Sequence, residues 1–81
     1  MQVRFLIRET MADVDAGDSE GWTCLMVAAA RNDVDMLKIL VQEGGAAVGV
    51  RDRNGWSCLM HAAWRGQFAA MRWLVKEGKA I

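Results

Sequence analysis

The sequence predicts an all-α fold, a solenoid of helix-turn-helix units joined by short hairpin-like turns. Two observations lead to this prediction. The stretch "GWTCLM" at residues 21–26 returns as "GWSCLM" at residues 55–60, and the similarity continues without a gap beyond both stretches. Within each period, apolar residues recur at the i, i+3, i+4 spacing of a helix that buries one face. Self-similarity at a period of 34 residues is typical of stacked repeat architectures.

The period divides the chain into three units, called here the first, second and third unit. Residues 1–17 match the second half of a unit, residues 18–51 make a complete unit, and residues 52–81 make a nearly complete unit without a C-terminal cap. Neither short helix of a unit can bury its apolar stripe alone. We therefore expect neighbouring units to stack and to share one core.

The first helix of each complete unit begins after a hydroxyl residue. Thr23 and Ser57 precede the apolar runs, at the position where a side-chain oxygen accepts hydrogen bonds from free helix N–H groups. The same helices end before Asn32 and Gly66, the residue types that most readily adopt a left-handed backbone. Small side chains dominate the stripes, which allows a neighbouring helix to approach closely.

The second helix of each unit carries larger apolar residues and ends near Gly44 or Gly78. Trp73 aligns with Ile39 in this stripe, so it is predicted to lie in the core. The glycine-rich connector "EGGAAVGVRDRNG" at residues 43–55 is predicted to form an extended turn. The predicted helices span residues 2–10, 23–31, 34–43, 57–65 and 68–77.

Composition excludes several function classes. Ten Lys and Arg side chains balance ten Asp and Glu side chains, which gives no electrostatic case for nucleic acid or an anionic membrane. The chain has no apolar run long enough to span a bilayer. Two cysteines are too few for a disulfide framework or the usual zinc site, which favours an intracellular compartment, cytoplasmic or nuclear.

The lone His61 has no partner in the spacing of a catalytic triad or a metal-ligand motif. We therefore expect it on a helix face or at the surface. We also expect no enzyme activity, cofactor or metal.

These units resemble the ankyrin repeat. The family pattern of Asp, Gly and Thr-Pro-Leu-His-x-Ala-Ala is matched by "DSEGWTCLMVAA" at residues 18–29 and by "DRNGWSCLMHAA" at residues 52–63. The second halves "LKILVQEGGAAV" and "MRWLVKEGKAI" resemble the family's leucine run and Glu-x-Gly-Ala. The resemblance implies an ankyrin-type solenoid whose concave face, formed by turn tips and first helices, binds a protein partner.

The sequence departs from the family pattern at three points. Cys24 and Cys58 stand where the family has the proline that starts the first helix. Met26 and Met60 replace the histidine that normally ties the turn to Thr, so we expect them to fill space in the stack. The period also exceeds the usual length of about 33 residues. We place the extra residue at Gly44–Gly45.

Tryptophan supplies the candidate binding residues. Trp22 and Trp56 occupy turn tips, where they either contact a partner or pack on the stacked neighbouring turn; the sequence favours neither. Trp64 favours recognition, because its counterpart one unit earlier is only Ala30 and because Trp is enriched in binding hot spots. The candidate contact residues are Trp22, Trp56, Trp64, Arg31, Arg53 and Arg65, with Ser19, Glu20 and Asn54 at the rim.

The predicted function is protein–protein interaction through this surface. The alternative is a structural segment of a longer ankyrin solenoid in an enzyme, channel or adaptor, with no independent binding function. We also expect the uncapped ends to allow self-association.

Overall fold

A computed structural model describes residues 14–77, and every regular element in this range is helical. The helices form two pairs, one in the second unit and one in the third. They are α1 (Cys24–Ala30), α2 (Val34–Lys38) with a π-helical continuation (Ile39–Glu43), α3 (Cys58–Trp64) and α4 (Phe68–Lys76). The predicted all-α fold is confirmed, and the helix expected at residues 2–10 lies outside the described range. No helix in residues 14–77 is long and apolar enough to cross a membrane.

The predicted helix boundaries are confirmed at the first helix of each unit. Thr23 Oγ1 accepts a hydrogen bond from the third residue of α1 at 3.3 Å, and Ser57 Oγ does the same for α3 at 3.4 Å. Asn32 and Gly66 follow these helices with φ of 59° and 69°. Both therefore adopt the left-handed conformation that ends a helix.

The start of α4 is capped by the preceding unit. Gln67 is the N-cap residue of α4 but makes no side-chain cap bond to it. Instead, the Ala70 N–H donates to Asn32 Oδ1 at 3.0 Å, and Gln67 Nε2 donates to the Ala30 carbonyl at 2.8 Å. This exchange of hydrogen bonds fixes the third unit against the second.

The second helix of the second unit ends in a widened turn. The Gly44 N–H donates to the Ile39 carbonyl at 3.0 Å, and the Ala46 N–H donates to the Leu40 carbonyl at 2.9 Å. Gly45 then adopts a left-handed conformation with φ of 70°. Such π-turns accommodate one residue more than a regular helical turn, and this one lies next to the place expected for the extra residue of the period.

The core lies between the two pairs of helices. Trp73 is buried, which confirms its predicted place. The packing of α1 on α3 is the most extensive contact between elements, and small side chains permit it. The buried core residues are Leu25, Met26, Ala28, Ala29, Leu37, Leu40, Ala46, Cys58, Ala62, Ala70, Trp73 and Leu74.

The two units bury their apolar stripes unequally. Met26 is 1% exposed and fills space as expected, whereas Met60 is 40% exposed, so the expectation for Met60 is wrong. Phe68 and Val75 are also exposed on α4. The third unit covers the equivalent positions of the second unit, while nothing within residues 14–77 covers this side of the third.

Candidate functional site

An aspartate holds each turn in shape. Oδ1 of Asp18 and Oδ1 of Asp52 each accept hydrogen bonds from the N–H groups two and four residues later, all at 2.9 Å. The later of these N–H groups belongs to Trp22 in one turn and to Trp56 in the other. The backbone that carries each tryptophan is therefore fixed by a local side-chain cap.

The two turns stack directly on each other. The Arg53 N–H donates to the Glu20 carbonyl at 3.0 Å. Gly21 has φ of 80°, and a Cβ there would lie 2.9 Å from the Arg53 nitrogen. Glycine is required at this position, since any side chain would strain the backbone and push the turns apart.

His61 lies buried between the turns. It is 8% exposed, and its Nε2 lies 2.8 Å from Asp52 Oδ2. Its ring centroid is 4.0 Å from that of Trp22 and 5.3 Å from that of Trp56. His61 lies on helix α3, one of the two places expected for it, but the expectation that it could be a surface residue is wrong, because Trp22 of the second unit covers the ring and Asp52 supplies a buried hydrogen-bond partner.

Periodicity could not reveal this role of His61. Its counterpart in the second unit is Val27, which is 41% exposed. The useful signal is a turn aspartate, Asp52, that shares a unit with the one histidine of the chain. The third unit has Met60 where the family pattern has the histidine that bonds to Thr. The next residue, His61, instead forms a hydrogen bond with Asp52 of the turn.

The Asp52 carboxylate is buried, and both of its oxygens have hydrogen-bond partners. Its pKa lies below the ordinary value of 3.8, chiefly because the Trp56 N–H donates to the carboxylate, with further hydrogen bonds from His61 and the Asn54 N–H. Burial opposes this shift. The carboxylate is thus ionised at neutral pH and engaged with three donors, which suits it to hold the turn rather than to transfer protons.

Three tryptophans and His61 form a continuous row of rings that is buried at His61 and most exposed at Trp64. Trp64 packs edge-on against Trp56, with ring centroids 5.8 Å apart and an interplanar angle of 81°. With the two contacts of His61, this gives the order Trp22, His61, Trp56, Trp64, called here the aromatic row. Trp22 and Trp56 are half-buried, whereas Trp64 is 78% exposed. Contacts within the fold thus cover much of the Trp22 and Trp56 side chains but leave most of the Trp64 side chain exposed.

The six polar residues predicted to contact a partner are all exposed, and they lie in the turns or at the C-terminal ends of α1 and α3. Arg31 and Arg65 are the C-cap residues of α1 and α3, and Arg53 lies in the third unit's turn. Ser19, Glu20 and Asn54 are exposed residues of the two turns. In the structure, His61 joins Trp22 to Trp56, and Trp64 packs on Trp56. The sequence-based prediction of the surface had omitted His61.

The cysteines begin α1 and α3, as expected, but differ in environment. Cys24 is exposed, and Cys58 is buried, where its Sγ donates to the Val48 carbonyl at 3.4 Å. Burial raises the pKa of the Cys58 thiol to about 11. Both thiols are free, and residues 14–77 contain no group of three or more His, Cys, Asp or Glu that could hold a metal ion.

Comparison with solved structures supports the fold. The chain is similar to a chain in the crystal structure of the yeast ribosomal protein Rps3 in complex with its chaperone Yar1, with a TM-score of 0.79 and 22% sequence identity. The alignment covers 84% of this chain and 45% of that one, so the chain spans less than half the length of its structural relative. No curated protein sequence matches it.

The family model for ankyrin repeats, in three copies, matches residues 2–81. Ankyrin repeats generally mediate protein–protein interaction. The match extends over nearly the whole chain and agrees with the stacked helix pairs of the structure, so this chain belongs to the ankyrin repeat family.

Proposed function

We propose that the chain is a non-catalytic module that binds a protein partner through the aromatic row together with the exposed Arg31, Arg53 and Arg65. The observation that carries the proposal is the exposure of Trp64, 78% of whose surface is accessible although its ring is braced edge-on by Trp56. Contiguous apolar patches on a folded surface mark interaction sites, and Trp64 forms such a patch with the half-buried Trp56.

The bracing favours tight binding. Trp56 is held by its backbone hydrogen bond to Asp52 and by its contact with His61. Trp64 rests on that fixed ring, so it loses little rotational freedom when a partner covers it. Because ordering of side chains opposes association, such preorganisation raises affinity.

The charges of this surface suggest the chemistry of the partner. Arg31, Arg53 and Arg65 are exposed, and Arg is enriched with Trp in binding hot spots. A partner segment with an aromatic or aliphatic anchor flanked by carboxylates would complement them. Ser19, Glu20 and Asn54 complete the polar rim of the proposed surface.

Composition and buried contacts support three further proposals, on the cellular compartment, the class of partner and the absence of catalysis. We propose an intracellular protein, cytoplasmic or nuclear, since two free thiols suit a reducing compartment. Zero net charge favours a protein partner over nucleic acid or a membrane surface. The buried pair of His61 and Asp52 is used within the turn, which favours a structural role over catalysis.

The test is quantitative affinity capture with the 81-residue chain and two variants. Trp64→Ala removes the proposed anchor, and Phe68→Ala is the matched control, an exposed aromatic residue on α4 outside the aromatic row. We expect a partner that the wild type and the Phe68→Ala variant retain and the Trp64→Ala variant loses. Equal recovery by all three chains would refute the proposed surface.

A second candidate function is a structural segment within a longer solenoid. The exposed apolar positions of the third unit favour it, since their counterparts in the second unit are covered by a neighbour. Sedimentation of the 81-residue chain distinguishes the two functions. A monomer that unfolds cooperatively supports an independent module, whereas self-association or a molten state supports the structural segment.

A further inference from the structure

His61 has one ring nitrogen that the fold does not use. Its Nε2 is bonded to Asp52 Oδ2, and this is the only hydrogen bond of the imidazole within residues 14–77. Every fully buried side-chain nitrogen or oxygen in the same range has a hydrogen-bond partner. Because Nδ1 has no partner, it is not fully buried, and the 9% of the side chain that remains exposed includes this atom.

The hydrogen bond to Asp52 determines the chemistry of Nδ1. The pKa of Asp52 is lowered, so its carboxylate is ionised at neutral pH and can only accept hydrogen bonds. Nε2 must therefore carry the proton of the neutral imidazole, which leaves a lone pair on Nδ1. The aromatic row thus presents a hydrogen-bond acceptor beside the rings of Trp22 and Trp56.

A partner that covers the aromatic row would take this acceptor out of water. An acceptor that is buried without a donor opposes binding, so a partner that fits must bring an N–H or O–H group to Nδ1. Arg53 follows Asp52 in the turn, and Arg65 lies one helical turn beyond His61. Both side chains are exposed cations, which disfavour a charged amine at this place and favour a neutral donor.

We propose that His61 determines which partner the aromatic row accepts, a role that rests on the function proposed above for the row. Its Nδ1 accepts a hydrogen bond from a neutral N–H or O–H group of the partner. Uptake of a proton by the imidazole abolishes this hydrogen bond and weakens the complex. The proposed surface thereby gains a required chemical group on the partner and a dependence on pH.

The direction of the pH dependence follows from the ring. Protonation changes Nδ1 from an acceptor into a donor, which would then face the donor of the partner. Histidine is the side chain whose charge typically changes between about pH 5 and 8, and the chain contains one. Affinity should therefore be highest at the upper end of this range and fall as the pH is lowered. The fold should persist, because the protonated ring keeps its bond to Asp52 and lies against two indole rings, which attract cations.

The other ionisable groups on elements packed against α3 are common to every comparison that follows. Within residues 14–77, Asp52 is the one charged residue that bonds to the imidazole. The thiol of Cys58 is buried, and the remaining groups are exposed on the two turns, the connector, α1, α4 and the helix ends: Asp18, Glu20, Cys24, Arg31, Arg51, Arg53, Arg65, Arg72, Lys76 and Glu77. Matched ligands and variants cancel their effects.

The first measurement is the tautomer of His61 in the free chain. Long-range proton–nitrogen NMR of the imidazole at about pH 8 should show a protonated Nε2 and an unprotonated Nδ1. The same spectra, recorded as the pH is lowered, give the range over which His61 takes up a proton. A neutral ring with its proton on Nδ1 would overturn the proposal, because the acceptor would not exist.

The second measurement uses two small aromatic acids, indole-3-acetate and its N-methyl derivative. Each has a ring for the tryptophans and a carboxylate for the arginines, and they differ only in the N–H donor. At about pH 8, indole-3-acetate should bind the 81-residue chain about tenfold more tightly, because the N-methyl compound leaves Nδ1 without a donor. This preference should disappear over the pH range in which His61 takes up a proton.

Two variants provide the controls, and circular dichroism of each at both ends of the pH range checks the fold. His61→Gln can still donate to Asp52 but has no nitrogen that takes up a proton, so any preference that it retains should not change with pH. Trp64→Ala should weaken both acids by a similar factor, because it removes the exposed ring of the row and leaves Nδ1 in place.

The outcomes separate the role of His61 from the function of the row. Equal binding of the two acids to the wild type would overturn the role of His61 and leave the row as a binding surface, provided that Trp64→Ala weakens both. A preference that persists after His61 is protonated would do the same. If neither acid binds, or if Trp64→Ala weakens neither, the partner chemistry proposed for the row is refuted, and the role of His61 with it.

Discussion

Replacement of His61 by alanine tests how the second and third units are joined. The imidazole is 8% exposed, lies 2.8 Å from Asp52 Oδ2 and contacts the ring of Trp22 at a centroid distance of 4.0 Å. The substitution removes one buried hydrogen bond and the ring that lies between Trp22 and Trp56 in the aromatic row. The free energy of unfolding should therefore fall, although His61 occupies the variable position of its repeat motif.

The magnitude follows from these contacts. A hydrogen bond to a charged group contributes about 1.5–3 kcal/mol, and an aromatic contact contributes about 0.5–1.5 kcal/mol. We expect His61→Ala to lower the free energy of unfolding by about 2–4 kcal/mol. For a domain of this size, such a loss lowers Tm by about 10–30 °C.

Urea and thermal unfolding, followed by circular dichroism and tryptophan fluorescence, measure this loss. His61→Gln keeps a donor for Asp52 and should recover part of the stability. Val27→Ala is the matched control at the equivalent position, which is 41% exposed, and should change stability by no more than about 0.5 kcal/mol. A loss below about 0.5 kcal/mol for His61→Ala would refute the claim that this residue joins the units.

Three further predictions concern single residues. Asn32→Ala should lower the free energy of unfolding by about 2 kcal/mol, because it strains a left-handed position and removes the cap on α4. Asn32→Gly should lose only the cap and cost about half as much. Equal losses of the two variants in urea unfolding would contradict this. Iodoacetamide at pH 8, followed by mass spectrometry, should label Cys24 and spare Cys58, whose pKa is raised to about 11, until the chain unfolds; equal labelling of the native chain would be inconsistent with a buried Cys58. Because the pKa of Asp52 is lowered, its contribution to stability is present above the ordinary value of 3.8 and is lost as the pH falls below it; Asp52→Asn should therefore flatten the acid limb of a plot of Tm against pH, and an unchanged limb would count against this role.

The sequence predicted the features that local chemistry determines. Thr23 and Ser57 cap helices because a hydroxyl before an apolar run meets free N–H groups whatever the rest of the chain does. Asn32 and Gly66 end helices because few other residues tolerate φ near 60°. The burial of Trp73 followed from the stripe to which it belongs. The predictions of helix caps and helix ends needed only residues within one unit, and the prediction for Trp73 needed only its alignment with Ile39 one unit earlier.

The features that the sequence did not predict arise between units. Asn32 caps α4 across a separation of 38 residues, and His61 is buried only because Trp22 of the second unit lies over it. The periodicity also concealed differences, since equivalent positions carry the exposed Val27 and the buried His61. A repeat pattern predicts that units stack, but the contacts that fix one unit on the next depend on residues that do not repeat.

The central claim is that the aromatic row binds a protein partner. The most direct test is the NMR spectrum of the indole N–H groups, because the chain has four tryptophans and each gives one signal. When the partner recovered by affinity capture is added, the signals of Trp64 and Trp56 should shift, while that of the buried Trp73 should stay in place. Shifts confined to other signals, with Trp64 and Trp56 unchanged at saturation, would contradict the claim.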